Sequence, residues 1–85
     1  MMKPEDTPQF IIVLSTVIRS NADLIQVKTI IASYKCISRW SHDLEDVDQV
    51  LRILADDNIS EEVITDLKTS GIAAAIMEVF IPNCR

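Results

Sequence analysis

The stretch ISEEVITDLKTSGIAAAIMEVF, which runs from Ile59 to Phe80, decides the predicted fold. Ser60 is a favourable N-cap, because its hydroxyl can accept a hydrogen bond from a backbone N–H group in the first helical turn. Ile59 and Ile64 occupy the two positions of a hydrophobic staple around that cap. The sequence therefore predicts a helix that begins at Ser60.

Gly71 is the only glycine in the chain, and it punctuates this stretch. A residue without a Cβ atom can adopt the left-handed conformation, so we expect a Schellman-type cap in which Ile72 folds back on Leu67. After Gly71 the apolar residues follow helical spacing, at Ile72, Ala75, Ile76, Val79 and Phe80. This pattern predicts a second helix, or one helix bent at Gly71, that stops at Pro82.

Three further helices are predicted upstream. The first begins at Thr7 or Pro8 and runs to about Arg19, and the second begins after a cap at Ser20 or Asn21 and extends to Arg39 or Trp40. The third follows a cap at Ser41 or Asp43. The β-branched residues of the first segment also suit a strand, although no other segment is predicted to pair with it.

The predicted fold is therefore an all-α single domain over residues 1–85, with a flexible tail over residues 1–6. We expect a compact bundle of four to five antiparallel helices, with an armadillo-like arrangement as a variant. The predicted core consists of Phe10, Leu14, Val17, Val27, Ile31, Tyr34, Val47, Leu51, Leu54, Ile64, Leu67, Ile72, Ile76 and Phe80.

The composition favours a protein partner over nucleic acid or membrane. The net charge is −5, with 13 acidic and 8 basic residues, whereas nucleic-acid binding needs clustered Lys and Arg. Hydrophobic residues make up 48% of a chain of only 85 residues, so we expect some of them to face a partner. The apolar run over residues 10–18 is too short to span a bilayer.

The cysteines and the N-terminal segment bear on the compartment. Cys36 and Cys84 fit no metal-binding spacing, and we expect thiols in a reducing cytoplasm or nucleus, with a disulfide as the alternative. Ser20 and Ala22 would suit a signal-peptide cleavage site. However, the acidic residues at positions 5 and 6 cancel the positive charge that such a peptide needs.

Lys28, Lys35 and Arg39 are predicted to form a basic stripe on the second helix. A stripe of this kind is either a solvated face that pairs with acidic neighbours or a docking strip for an acidic peptide. Trp40 follows it, and either covers the core as a lid or anchors a partner. We expect partner binding at these four residues.

The sequence contains no catalytic, metal-binding or cofactor-binding pattern. His42 is the only histidine, and the adjacent Ser41 and Asp43 do not make a catalytic triad. Asp56 and Asp57 lack the alternating ligands and the central glycine of a calcium loop. With one glycine there is no phosphate-binding loop either. We therefore expect a protein that is not an enzyme and binds no cofactor and no metal.

Several segments resemble one known family. VLRIL at residues 50–54, ISEEVI at residues 59–64 and TSGI at residues 69–72 resemble the helical N-terminal domain of transcript-cleavage elongation factors and the related integrase-binding domain. SNADL at residues 20–24 resembles that family's first interhelical loop. The resemblance implies a helical bundle in transcription regulation, with partner-binding residues at Asn21, Asp23 and Leu24.

Three functions are compatible with these patterns. The first is an adaptor that binds a short peptide or helix in an apolar interhelical groove edged by the basic stripe. The second is a homodimer assembled through the first helix, with Phe10, Ile12 and Val13 in the interface and Ile12 on its solvent side. The third is a small inhibitory or immunity-type protein, whose eight acids between Asp43 and Glu62 cover a basic site.

Overall fold

A computed structural model describes residues 9–81 of the chain. The predicted flexible tail over residues 1–6, the stop at Pro82 and the thiol of Cys84 lie outside these residues. Within them the chain forms six elements, in the order β1 (Phe10–Thr16), α1 (Asn21–Ala32), β2 (Ile37–Asp43), β3 (Val50–Ala55), α2 (Ser60–Thr69) and β4 (Ala74–Phe80).

The four strands form one antiparallel sheet in the order β2-β3-β1-β4. The first strand in the sequence lies between the third and the fourth, so each of the two βαβ units leaves room for a strand of the other. This interleaved βαββαβ arrangement is the ferredoxin-like or split βαβ architecture.

The prediction of an all-α bundle, whether compact or armadillo-like, is therefore wrong. The described chain is 37% strand and 30% helix, an α/β fold. The segment predicted as the first helix is β1, the end of the second is β2, and the third is a turn followed by β3. The segment after Gly71 is β4. The helical domain that the family resemblance implies is not the fold of this chain.

Both faces of β1 are apolar, one toward the helices and one toward the opposite side of the sheet. Ile12 and Leu14 are fully buried beneath the helices, whereas Ile11 and Val13 point to the opposite face of the sheet, as the two-residue period of a strand requires. An entirely apolar run shows no alternation in the sequence. This is why the helical and strand interpretations of the segment could not be separated.

The two helices pack on one face of the sheet and close the core there. Val27 and Ile31 of α1 and Val63 and Leu67 of α2 join one cluster of buried residues with Ile12 and its neighbours. Each fully buried aliphatic side chain of this kind contributes about 1.5–3 kcal/mol to burial free energy. The opposite face of the sheet carries no helix in the described chain.

The start of α1 agrees with the sequence. Ser20 is the N-cap, and its Oγ accepts a hydrogen bond from the backbone N–H of Asp23 at 3.3 Å. The Asp23 carboxylate in turn accepts from the backbone N–H of Arg19 at 2.9 Å. The predicted cap at Ser20 or Asn21 is thus confirmed at Ser20. The helix ends at Ala32, well before the predicted end at Arg39 or Trp40.

The end of α2 also agrees with the sequence. Gly71 has φ +87°, and the backbone N–H of Ile72 donates to the carbonyl of Leu67 at 2.9 Å. The Gly71 N–H donates to the Lys68 carbonyl at 2.9 Å, which completes a Schellman motif. The start is displaced by one residue, because Ser60 is the first helical residue and Ile59 is the N-cap.

The predicted core is right in part. Leu14, Val27, Ile31, Leu51, Leu67 and Ile72 are buried. Val47 is 93% exposed, because it lies in the turn between β2 and β3 and not on a helix stripe. Val17, Ile76 and Phe80 are also exposed. The core also contains Ile12, Ile53 and Val63, which were not predicted as core residues.

Candidate functional site

The face of the sheet that the helices leave uncovered is the candidate site, and we call it the open face. Its side chains are the alternate residues of the four strands, at Ile11, Val13, Arg39, Ser41, Arg52, Leu54, Glu78 and Phe80. Cross-strand partners project from the same face of a sheet. The strand register therefore orders these eight side chains in two rows that cross all four strands.

The first row is apolar with a cation at one end. Arg39 is opposite Leu54, Leu54 is opposite Ile11, and Ile11 is opposite Phe80. Ile11 is 39% exposed and Phe80 is 47% exposed. Three adjacent strands thus present a continuous apolar strip, and the edge strand β2 adds a guanidinium group beside it.

The second row carries opposite charges. Ser41 is opposite Arg52, Arg52 is opposite Val13, and Val13 is opposite Glu78. Since Val13 stands between them in the register, Arg52 and Glu78 are two strands apart, or about 10 Å. The open face therefore has a cationic half on β2 and β3 and a carboxylate on β4.

A shallow depression of about 200 Å³ lies on the cationic half of this face. Its lining includes Ile11 and Leu54 of the apolar strip and the two arginines Arg39 and Arg52. Apolar side chains bounded by guanidinium groups suit a ligand that combines an apolar side chain with a carboxylate.

The basic stripe predicted on one helix is wrong. Lys28 lies on α1, Lys35 in the turn after it, and Arg39 within β2. Since α1 covers one face of the sheet and Arg39 belongs to the open face, the structure does not bring the three cations to one surface. Trp40 is opposite Ile53 and packs against the core from β2, which agrees with the lid and not with a helix exit.

The residues carried over from the family resemblance lie together at the start of α1. Asn21 is its first residue and exposed, Asp23 takes part in the capping hydrogen bonds, and Leu24 is half-buried. They are not part of the open face. Their role in partner binding stays a prediction.

The three residues predicted for a dimer interface separate in the structure. Ile12 is fully buried against the helices, so the expectation that it lies on a solvent side is wrong. Phe10 is half-buried and packs against the same core. Val13 belongs to the open face, where it is 9% exposed. The neighbouring Ile11, which sequence reasoning passed over, is the exposed apolar residue of this strand.

The acidic region from Asp43 to Glu62 does not form one patch. Its first four acids occupy the end of β2 and the turn before β3, whereas the last four follow β3 and open α2. β3 runs between the two groups for six residues, a length of about 20 Å. The two acidic groups therefore lie at opposite ends of the sheet.

A half-buried polar cluster lies where β1, β2 and the turn before β3 meet. Thr16 Oγ1 is 3.0 Å from Nε2 of His42 and donates to the carbonyl of Gln49 at 2.7 Å. The Gln49 side chain accepts from the backbone N–H of Ile18 at 2.8 Å. These bonds tie the turn to the end of β1. Thr16 is buried, and its hydroxyl proton is already donated to the Gln49 carbonyl. We therefore interpret the cluster as structural.

Residues 9–81 were searched for metal-binding clusters and for membrane-spanning helices. No group of three or more His, Cys, Asp or Glu side chains there is arranged to hold a metal ion. No helix in this part of the chain is long and apolar enough to cross a membrane. Cys36 forms no disulfide with a described residue, and burial raises the pKa of its thiol.

The residues of the open face that sequence reasoning missed did leave a signal. Arg52 interrupts an otherwise apolar run from Val50 to Ala55, and Glu78 interrupts the run from Ala74 to Phe80. One charge within a short apolar run marks the solvent side of a strand as well as of a helix.

A scan against protein-family models finds no match for this chain, and a search of curated proteins finds no similar sequence.

Proposed function

We propose that this chain is a non-enzymatic protein-interaction domain that binds another polypeptide across the open face of its sheet. The observation that carries the proposal is the apolar row formed by Leu54, Ile11 and Phe80 on a face without helices. A sheet of an α/β domain normally buries its apolar surface against another layer. Here the helices cover one face, and a partner supplies the layer on the other.

The charges of the open face define the chemistry of that partner. Arg39 and Arg52 flank the apolar strip on one side, and both guanidinium groups can bind a carboxylate in a bidentate fork. The matching ligand is a peptide segment or surface with apolar side chains next to acidic ones. The interhelical groove predicted from the sequence requires the all-α fold, which this chain does not have. We therefore place the proposed binding surface on the sheet.

The compartment that we propose is reducing, either cytoplasm or nucleus. Support comes from Cys36, which is half-buried and outside any disulfide with the described residues. Structural disulfides are rare in such compartments.

A peptide-display selection tests the proposal. A random peptide library is selected on the wild-type chain, and the enriched peptides are then measured against Ile11→Asp and Ile25→Asp. Ile25 is 62% exposed on α1, away from the open face, so its variant controls for the general effect of a surface carboxylate. Both variants are checked for folding by circular dichroism.

We expect enriched peptides that combine apolar and acidic residues, that lose binding to Ile11→Asp and that keep it with Ile25→Asp. Amide chemical shifts of the labelled protein should move for residues of β1, β3 and β4. Peptides that bind both variants equally, or shifts confined to the helices, would overturn the open face as the binding surface.

A further inference from the structure

We infer that the polypeptide on the open face is a second copy of this chain, packed sheet against sheet about a two-fold axis parallel to the strands. The inference rests on the proposed function and names its partner. Its basis is the order of the side chains in the two rows. When each row of one copy faces the same row of the second copy in reverse order, the facing side chains are complementary.

The apolar row matches its own reversal. A two-fold axis that runs between β1 and β3 exchanges the two central strands and the two edge strands of facing sheets. Ile11 of each copy then meets Leu54 of the other, and Phe80 meets Arg39. The first contact buries aliphatic surface, and the second places a guanidinium group over an aromatic ring, a favourable cation–π arrangement.

The charged row matches its own reversal as well. The same axis brings Glu78 of one copy above Ser41 of the other and beside Arg52, one strand away. Arg52 and Glu78 of a single chain are separated by Val13, so the pairing of these charges is intermolecular. Both pairs form at once, because a two-fold interface repeats every contact.

The size of the face indicates a weak dimer. Strands about 4.8 Å apart with about 3.3 Å per residue outline a face of about 19 by 23 Å. Two such faces bury about 900 Å² in flat projection, which is below the roughly 1,200 Å² of stable specific interfaces and in the range of weak, transient ones. We therefore expect a dimer that dissociates on dilution and, since it uses exposed charges, in high salt.

Sedimentation velocity over a wide range of concentrations at low salt measures the association. The variants are Arg52→Glu, Glu78→Arg and the double variant that carries both substitutions. Each single variant places like charges beside each other on adjacent strands across the interface, whereas the double variant exchanges the two charges and keeps them complementary. Lys28→Glu and Glu61→Arg make the same charge changes on α1 and α2, outside the open face, and serve as controls.

We expect the wild-type chain and both controls to dimerise, and each single open-face variant to associate about tenfold more weakly. The double variant should regain the wild-type constant within about threefold. A mixture of the two single variants should form heterodimers more readily than either variant forms homodimers. This restoration is specific to a chain that faces its own copy.

Three results would overturn the inference: a wild-type chain that stays monomeric at all concentrations, dimerisation that ignores both single variants, or a double variant that remains monomeric. A monomer that still binds selected peptides through Ile11 would refute the second copy and retain the proposed function. A dimer that is indifferent to open-face variants, with no peptide lost in Ile11→Asp, would refute both.

Discussion

Thr16 Oγ1 and His42 Nε2 lie 3.0 Å apart between two strands that are not neighbours in the sheet. The Thr16 hydroxyl donates its proton to the Gln49 carbonyl, so the hydrogen between oxygen and ring belongs to Nε2. Nδ1 of the neutral ring is then the unprotonated nitrogen, and it is buried without a hydrogen-bond partner among the described residues. Protonation of this ring would place a new donor where no acceptor lies.

This arrangement predicts a loss of stability in mild acid. Burial lowers the pKa of His42 below its ordinary 6.5. The Gln49 backbone and the charge of Asp43 raise this pKa, but by less than burial lowers it. Between the folded pKa and 6.5 the unfolded chain binds more protons than the folded chain, so the free energy of unfolding falls as the pH drops through this window.

Urea unfolding of the wild-type chain at several pH values between about 5 and 7.5 measures this dependence. His42→Gln, which keeps polar atoms at the site but does not titrate, should remove most of the slope in that interval. Equal slopes for the two proteins would assign the pH dependence to other groups.

The two faces of β1 predict opposite effects for adjacent substitutions. Ile12→Asp places a carboxylate in a fully buried position and should prevent folding, because an uncompensated buried charge costs several kcal/mol or more. Ile11→Asp changes an exposed residue of the open face and should leave the fold intact.

Circular dichroism and thermal melting distinguish the two variants directly. A folded Ile12→Asp variant with an unfolded Ile11→Asp variant would mean that the strand faces the other way. The pair therefore tests the orientation on which the open face depends.

Gly71 predicts a purely conformational cost. A Cβ atom at this position would meet no atom within 4 Å, yet the backbone has φ +87°. Gly71→Ala should therefore lower the free energy of unfolding by about 1–2 kcal/mol through the left-handed backbone alone. Gly71→Asn should cost less, because asparagine tolerates this conformation better.

Chemical denaturation of the three proteins gives the comparison. Equal stability for alanine and asparagine at this position would contradict a conformational origin. Retention of the wild-type value in both variants would contradict the Schellman cap itself.

Tyr34, in the turn after α1, is hydrogen-bonded to α2. Tyr34 Oη donates to Oδ2 of Asp66 at 2.5 Å, and burial, followed by this bond, raises the pKa of the phenol. Tyr34→Phe removes only the donor, and should lower the free energy of unfolding by about 1 kcal/mol. Asp66→Asn keeps an acceptor and should lower the free energy of unfolding by less. An unchanged free energy of unfolding for Tyr34→Phe would show that water replaces the bond without loss.

Local signals in the sequence were sufficient for the start of α1 and the end of α2, but not for the end of α1 or for the sheet. Ser20 and Gly71 act through groups a few residues away, so their caps are visible in the sequence. β1 was ambiguous because it is apolar on both faces, and β4 was misassigned because its alanines and apolar residues fall by chance at helical spacing. Once three strands were interpreted as helices, β1 had no visible partner.

The open face could not be predicted from local sequence patterns for the same reason. It exists only because residues as distant as Arg39, Ile11 and Phe80 meet in one register, and no local pattern specifies which strands become neighbours. Sequence reasoning found Arg39 and Val13 as candidate binding residues, but for a helix surface and an interface built on a helix. Arg52 and Glu78 stand out as single charges in apolar runs, but their place beside Ile11 and Leu54 required the topology.

The central position of β1 has a consequence for the synthesis of the chain. Its two neighbours in the sheet are β3 and β4, whose residues are translated some forty and more than sixty positions later. During that interval the apolar run from Phe10 to Leu14 leaves the ribosome with neither strand edge paired, a state that invites association with other nascent chains or capture by chaperones. Slow translation before β4 should therefore lower the soluble yield of this protein more than slow translation after it.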